Sequence, residues 1–469
     1  MKISLIALNQ EKYPYPVQPI GLAYVAATLL KAGHSAQVVD LCFEANDKAL
    51  LSEHIVSHTP DVICFSIRNI DSTSFPESIY YLPRIKELVN ICKLKSSAVM
   101  IAGGSGFSIA PAEILDYLEL DLGVVGEGEY AIEELIGRLE EKRSFSHIPG
   151  LVFREKESFQ INQRSVPLDL DLYSPAREFI DMARYTSEGG ITSVQSKRGC
   201  HFNCIYCTYP LIEGKMVRMR SPEKVVDELE MLYDRYGVDS FCFVDNVFNF
   251  PLDHAYCICN GIIQRGLKIH WTGFFHPRFI TPDFAELIKK AGCSGVELGI
   301  DSASDKILTT LKKGFSASDV VNAMELCKQV ELNTCCCLIL GGPGEDGETL
   351  KETFDRMDET APDAILAYSG IRIYPNTEME KIALDEGYEL GNHLEPRFYI
   401  SETLQESLVP TIQEFAKTHA NFIYGGMPNN IPIEFIKRMR KRGVKGPMWE
   451  LKSKFSKLLI NPSFTKGVS

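Results

Sequence analysis

The sequence predicts an α/β protein made of two successive parallel-sheet domains and a small helical C-terminal region. Three observations support this prediction. Apolar strand-like segments alternate with helical patterns over residues 1–145, and the alternation restarts over residues 191–400 after a connector, residues 146–190. The length of 469 residues exceeds what one core usually accommodates. Residues 401–469 follow a mainly helical pattern.

The first domain is predicted to be an open, doubly wound sheet. Its strands are expected at residues 3–8, 36–41, 62–67, 98–102 and 122–125, separated by helical patterns such as "GLAYVAATLLKAG". Gly33 ends that helix, as glycine commonly does. A flavodoxin-like strand order 2-1-3-4-5 would open a ligand crevice at the ends of strands one and three, which are the loops 9–19 and 68–75.

The connector carries a short predicted hairpin, "GLVFREKESFQI". The second domain follows with strands expected at residues 191–195, 240–244, 269–274, 295–300, 334–340 and 364–373. Six strand–helix units are too few for the usual eight-stranded barrel, but they form a partial one. Its chemistry would lie in the loops at the carboxyl ends of the strands, and the segment "SKRGCHFNCIYCTYP" follows the first strand.

Composition favours a globular, cytoplasmic protein. The chain is 45% hydrophobic and 24% charged, it has no apolar run of membrane-spanning length, and "MKISLIALNQ" does not resemble a signal peptide. A net charge of −13 argues against nucleic acid as a partner. The segment "KRMRKRGVKGPMWELKSKFSK" is basic, which predicts a solvated helical face, with contact to a membrane surface or partner as the alternative.

Fourteen cysteines in a chain expected in the reducing cytosol favour metal ligands and buried thiols over disulfides. Cys200, Cys204 and Cys207 have C-x3-C-x2-C spacing. A zinc site completed by His201 would need two adjacent ligands on one ion, and a redox C-x-x-C would leave Cys200 without a role. Three thiolates on a four-iron cluster would leave one iron with an open position, which makes a metal site reactive.

The segment "RGCHFNCIYC" resembles the signature of the radical S-adenosylmethionine (SAM) superfamily, with Tyr206 at the aromatic position. The resemblance implies a 4Fe-4S cluster on Cys200, Cys204 and Cys207, which would be both metal ligands and catalytic residues. It also implies that SAM binds the open iron and is cleaved to a 5′-deoxyadenosyl radical.

Segments at later strand ends resemble SAM-binding stretches of the same superfamily. They are "FVDNVF", "HPRFI", "GVELGIDSAS", "LILGGPGE" and "IRIYPNT". Asp301 stands where the superfamily more often has glutamate, and Asn376 replaces a glycine. The SAM contacts that the resemblance implies are Tyr206, Asp245, Asn246, Arg278, Glu297, Asp301, Ser302, Leu340, Gly341, Gly342 and Tyr374.

Other cysteines are predicted to lie in the core. Cys335, Cys336 and Cys337 are consecutive residues of a strand, so their side chains point to opposite faces and cannot converge on one metal ion. Cys257 and Cys259 are two residues apart on a predicted helix, and this spacing also points their side chains apart.

The first domain resembles that of cobalamin-binding radical SAM proteins through "PIGLAYVAATLLKAGHSAQVVD", "IAGGSGF" and "VVGEGEYAIEEL". The implied cobalamin contacts are Arg68, Asn69, Gly103, Gly104, Gly126, Glu127 and Gly128. Glycine would let a bulky nucleotide tail approach the backbone. The sequence has no D-x-H-x-x-G motif, and His34 is expected to be structural. Arg68 either lies below the corrin, where it cannot ligate cobalt, or forms a surface salt bridge.

The resemblance predicts a cobalamin-dependent radical SAM enzyme that transfers a methyl group from SAM to an unactivated carbon. The alternatives are a radical cyclisation or rearrangement with the same cofactors and a non-catalytic corrinoid-binding protein. A small molecule, lipid or peptide would be the substrate. The expected electron donor is a flavodoxin or ferredoxin.

Overall fold

The structure is a computed structural model of the 469-residue chain. It describes residues 1–12, 15–164, 169–424, 438–439, 441–444, 446–447 and 449–450. Most of the basic segment near the C-terminus therefore lies outside the described residues.

The described residues of the first domain form seven strands and five α-helices. Its strands are β1 (Lys2–Ala7), β2 (Ser35–Asp40), β3 (Val62–Ser66), β4 (Val99–Gly103), β5 (Leu122–Val124), β6 (Leu151–Glu155) and β7 (Ser158–Ile161). Its helices are α1 (Ile20–Lys31), α2 (Asp47–His58), α3 (Leu82–Lys95), α4 (Pro111–Leu118) and α5 (Glu129–Glu140).

The first sheet has the order β2-β1-β3-β4-β5-β6-β7, so the expected flavodoxin-like order is confirmed. Strands β1 to β5 are parallel, whereas β6 and β7 pair antiparallel at the edge. The predicted hairpin thus continues this sheet to Ile161 instead of lying in a separate connector. Sequence periodicity locates a hairpin but does not say which sheet edge it joins.

The second domain begins after helix α6 (Met182–Ser187). Its strands are β8 (Thr192–Val194), β9 (Lys197–Arg198), β10 (Arg218–Met219), β11 (Ser240–Phe243), β12 (His270–Phe275), β13 (Cys293–Asp301), β14 (Asn333–Leu340), β15 (Ala364–Ser369), β16 (Ile371–Arg372), β17 (Phe398–Tyr399) and β18 (Phe422–Tyr424). Its helices are α7 (Tyr209–Ile212), α8 (Pro222–Tyr236), α9 (Leu252–Gln264), α10 (Pro282–Lys290), α11 (Asp305–Thr310), α12 (Ala317–Gln329), α13 (Gly347–Thr360), α14 (Glu378–Asp385) and α15 (Leu408–Thr418).

Among the described residues, seven parallel strands form the partial barrel in the order β8-β11-β12-β13-β14-β15-β18. Six of them were expected, and β18 adds a seventh from the region predicted to be helical. It spans only three residues, too few to give a clear periodic pattern. The predicted strand 364–373 is divided at Gly370, which adopts a φ of +70°.

Burial along the barrel strands alternates between two faces. Cys336, Leu338 and Ala367 are buried in the core between the sheet and its helices. Cys337, Ile339, Leu366 and Tyr368 alternate with them and keep partial exposure. The inner face of the barrel is therefore partly exposed, whereas the outer face is packed against the helices. No helix among the described residues is long and apolar enough to cross a membrane.

Candidate active site

The three cysteines lie in the loop between β9 and α7, as expected for the first strand–helix unit of the barrel. Asp245, at the end of β11, orients the start of this segment. Its buried carboxylate accepts hydrogen bonds from the Ser196 amide at 2.7 Å, the Ser196 hydroxyl at 2.5 Å and the Lys197 amide at 3.1 Å. Asp245 therefore positions the start of the loop, and the SAM contact that the resemblance implied for it stays a prediction.

Cys200, Cys204 and Cys207 are all half-buried. Burial, together with the neighbouring Cys204 and Cys200 thiols, raises the pKa of Cys207 to about 12, and Lys313 opposes this rise. The Cys200 and Cys204 thiols therefore lie near Cys207, and burial disfavours the thiolate form of all three unless a metal holds it. This donor set fits a cluster that provides one iron for each sulfur.

The described residues include no group of three or more His, Cys, Asp or Glu side chains arranged around a single ion. A four-iron cluster does not require the three sulfurs to converge on one atom, so its fit is unaffected. Cys335 and Cys336 are buried in the strand β14, and Cys257 is exposed whereas Cys259 is buried. These four were predicted to be non-ligating.

Tyr206, Asp301 and Lys313 form a buried polar cluster against the cysteine loop. The Lys313 ammonium lies 2.6 Å from Asp301 and 3.2 Å from the Tyr206 hydroxyl, which itself donates to Asp301. Burial lowers the pKa of Lys313. The nearby Asp301, Cys204 and Cys207 raise this pKa by more than burial lowers it, so the net shift is upward. Lys313 is thus a fixed cation next to two of the three thiols.

Asp301 reaches this cluster through an uncommon backbone conformation. Its φ is +64°, and the pairing register between β13 and β14 shifts at Gly299 and Asp301. Positive φ at a residue other than glycine is a conformation found at functional sites. Asn376 similarly takes φ +63°, which explains how asparagine stands where related sequences have glycine.

The remaining predicted SAM residues lie at several different places. Ser302 is buried and lies 3.0 Å from the Thr353 hydroxyl, Arg278 is exposed, and Tyr374 packs against the core of the first domain. The amides of Gly341 and Gly342 donate to Glu345, and Leu340 is buried. Asp301 contacts Tyr206 within the cysteine loop, and Asn246 donates to the Gly199 carbonyl at the start of that loop at 3.4 Å. Glu297 lies mid-strand in the barrel interior, four residues before the end of β13.

A cavity of about 350 Å³ lies between the first sheet, helices α1 and α5, and the cysteine loop. Its lining includes apolar residues of the first sheet, such as Leu5 and Ile101, and residues after the cysteines, Tyr209 and Glu213. All but one of the predicted cobalamin residues line it: Arg68, Gly103, Gly104, Gly126, Glu127 and Gly128. Asn69 instead lines a second cavity of about 300 Å³ beside Tyr80 and Tyr81.

The backbone around this cavity suits a bulky ligand tail. Gly104 has a φ of +103°, and a Cβ atom there would lie 2.6 Å from the Ile67 carbonyl oxygen. Gly126 has a φ of +74°, and a Cβ atom there would lie 2.8 Å from Arg164 and 3.0 Å from the Ile212 carbonyl oxygen. Side chains at these positions would push the loops apart, so the glycines keep the cavity wall in place. An apolar slot between a sheet and two helices fits the nucleotide tail of cobalamin.

Buried ion pairs join the two domains beside the cavity. The Glu127 carboxylate accepts hydrogen bonds from Arg198 at 3.0 Å and from Arg218 at 2.9 Å. The Glu129 carboxylate accepts a second hydrogen bond from Arg198 at 2.6 Å. Burial raises the pKa of Glu127, but the two arginines outweigh it and the net shift is downward. These contacts fix the cysteine loop relative to the first domain. Asp71 and Arg372 form a second buried interdomain pair at 3.0 Å.

Arg68 is exposed and lines both cavities. The surface salt bridge considered for it is not present among the ion pairs of the described residues. His34 is buried beside the N-terminal amine at 3.4 Å, away from the cavity, in agreement with a structural role.

Sequence patterns did not identify several residues of the site. One of them is Glu213, which lines the cavity. Its Oε2 accepts hydrogen bonds from the Gly199 amide at 2.9 Å and from Asn246 at 2.7 Å. Burial raises the pKa of Glu213. Lys313 and Arg218 were missed because neither belongs to a recognised motif. The position of Arg198, two residues before the first cysteine, was the available signal for an anchoring role.

Two family models match the chain. The model for the B12 binding domain matches residues 8–136, and the model for the radical SAM superfamily matches residues 194–357. Together they span more than half of the sequence, in the order of the two domains seen in the structure.

Three known proteins illustrate the similarity. An uncharacterized methyltransferase of Pyrococcus horikoshii is 28% identical over 342 residues, which cover 71% of this chain and 72% of that protein. Tryptophan 2-C-methyltransferase of Streptomyces laurentii is 26% identical over 450 residues, which cover 81% of this chain and 74% of that protein. The structure of the radical SAM methyltransferase TsrM from Kitasatospora setae, with cobalamin and a 4Fe-4S cluster bound, matches with a TM-score of 0.87 over 98% of both chains at 21% identity. This last likeness is one of fold.

Proposed function

The chain belongs to the radical SAM superfamily and carries a B12-binding domain before its barrel, and from this premise we propose that it is a cobalamin-dependent methyltransferase. The reaction would move a methyl group from SAM to an unactivated carbon of a small-molecule substrate. The methyltransferase activities of similar proteins, one of which acts on tryptophan, support this assignment.

One observation carries the proposal. The cavity lined by the glycines of the first domain is also lined by Tyr209 and Glu213, which follow Cys207 by two and six residues. A corrin seated on those glycines would therefore face the cysteine loop across one shared space. A methyl carrier and a SAM-binding cluster need this proximity, because both act on the same substrate carbon.

The cofactors would supply the radical and the methyl group, which amino acid side chains cannot supply. The chain's own residues bind, orient and enclose them. Cys200, Cys204 and Cys207 would hold the cluster, and Tyr206 and Asp301 would orient its loop and the neighbouring SAM. The interdomain ion pairs of Glu127 would keep the two cofactor sites in register, and Arg68 would lie below the corrin, where it cannot ligate cobalt.

The remaining predicted contacts are part of the same proposal. Gly341 and Gly342 would present backbone to SAM at the end of β14, and Asn246 would hold Glu213 at the cavity wall. A flavodoxin or ferredoxin would supply electrons, because a cluster of this kind needs a low-potential reductant.

The test does not require the substrate. Anaerobically prepared protein with both cofactors is incubated with a reductant and SAM labelled at the methyl group, and the corrinoid is then extracted. The proposal expects label on the corrinoid and about one S-adenosylhomocysteine per cobalt. Cleavage of SAM to 5′-deoxyadenosine alone would contradict methyl transfer and favour a radical rearrangement. Cys257→Ala, which alters an exposed thiol outside the loop, is the control variant.

A further inference from the structure

The inner face of the partial barrel carries side chains to which no cofactor contact has been assigned by geometry, and the space that they border is called the barrel chamber. Its wall is made by the partly exposed side chains Ile339, Tyr368 and Phe274, the last of which is 40% exposed. Trp449, from near the end of the chain, closes the bottom, where it packs against Cys335 and Ala364. The chamber is therefore largely apolar and aromatic.

Glu297 is a buried acid in this chamber. One of its oxygens accepts a hydrogen bond from the Trp449 indole at 3.2 Å. Burial raises the pKa of Glu297 to about 7, the Trp449 hydrogen bond lowers it, and Glu450 raises it. The carboxyl group thus titrates near neutral pH.

The titratable groups facing Glu297 are neutral or acidic. They are Tyr15 from the loop after β1, Cys242 of β11, Cys335 of β14, Tyr368 of β15 and Glu450 of the C-terminal segment. Among the described residues no lysine or arginine is paired with Glu297. A carboxylate buried without a counter-charge is costly, and a cationic ligand would remove that cost.

We propose that the barrel chamber binds a substrate that carries a protonated amine on an apolar or aromatic body, and that Glu297 pairs with this amine. The inference rests on the proposed function, since it names the substrate class of the same site. It assigns Glu297 to substrate recognition instead of the SAM contact that the sequence resemblance implied. Tyr15, which lies close to Cys242, would bring the first domain to the mouth of the chamber.

The test compares two small probes of equal shape, 2-phenylethylamine and 2-phenylethanol. Their binding to the protein with both cofactors is measured by equilibrium dialysis at pH 6 and pH 8. The amine stays protonated over this range, whereas Glu297 ionises, so amine binding is expected to strengthen about tenfold at pH 8. Binding of the alcohol is expected to stay constant.

Glu297→Gln is expected to abolish the pH difference, and Glu286→Gln, which alters an exposed acid on α10, is expected to keep it. Equal affinity for amine and alcohol, no detectable binding of the amine, or tighter amine binding at pH 6 would overturn the inference. Unchanged iron and cobalt content of Glu297→Gln excludes misfolding. Dialysis involves no turnover, so the result is independent of the labelled-SAM experiment.

Discussion

The guanidinium of Arg198, two residues before the first cysteine of the loop, lies 3.0 Å from the Glu127 carboxylate of the first domain. Both side chains are buried, and Arg218 donates to the same carboxylate. A single acid of the cobalamin cavity therefore anchors both ends of the segment that carries the three cysteines. The distance between the two proposed cofactors depends on this contact.

Replacing Glu127 with alanine is expected to destabilise the protein by about 3–5 kcal/mol, because two buried arginines lose a partner. The midpoint of chemical denaturation measures this effect. Glu286→Ala removes an exposed pair with Lys290 and is expected to cost about 0–1 kcal/mol. Equal effects of the two substitutions would show that the interdomain pair does not hold the domains together.

Lys313→Met is expected to make the reduction potential of the cluster more negative by several tens of millivolts, since it removes a buried cation beside Cys204 and Cys207. A redox titration followed by electron paramagnetic resonance measures the shift. Lys312→Met, at the neighbouring exposed residue paired with Glu378, is the control. A potential unchanged by Lys313→Met would mean that its charge does not act on the cluster.

The buried carboxyl group of Glu345 is expected to make the protein less stable as pH rises. Burial raises its pKa to about 7, although the amides of Gly341 and Gly342 lower it. Between about pH 4.5 and 7 the unfolded chain has lost this proton and the folded chain keeps it, so stability falls as pH rises. The loss amounts to about 3 kcal/mol. Glu345→Gln is expected to flatten this part of the profile in denaturation at pH 5 and 8. An unchanged slope in the variant would contradict the assignment.

Arg68→His tests the lower face of the corrin. Histidine has a lone pair that ligates cobalt and arginine has none. The substituted protein with bound cobalamin is expected to show nitrogen coupling in its cob(II)alamin paramagnetic resonance spectrum, and the native protein is not. A spectrum unaffected by the substitution would place Arg68 away from the cobalt.

Much of the first domain could be predicted because its five parallel strands and their helices have clear periodic patterns. The strand β18 could not, since three residues carry little periodicity and its partner β15 is distant in sequence. Nor does the sequence pattern say that the hairpin of β6 and β7 joins the first sheet. Local sequence patterns predict that a segment is a strand, but contacts between distant segments decide which sheet that strand joins.

The cysteine loop could be predicted because the spacing of Cys200, Cys204 and Cys207 is local and specific. The contacts around it depend on tertiary structure. Asp245, whose contact with SAM stays a prediction, also holds the loop, and Lys313 was missed although it lies 2.6 Å from the predicted Asp301. Motif matching identifies residue types at strand ends, whereas hydrogen-bond partners decide which of them remain available to a ligand.

The most direct test of two cofactors on one chain is to express the protein anaerobically with cobalamin, desalt it, and quantify iron and cobalt on the same sample. We expect about four iron atoms and one cobalt per chain with a base-off corrinoid spectrum. We also expect loss of iron, but not of cobalt, in the Cys200→Ala/Cys204→Ala/Cys207→Ala variant. Iron without cobalt in the native protein would contradict the account and leave the first domain without its proposed ligand.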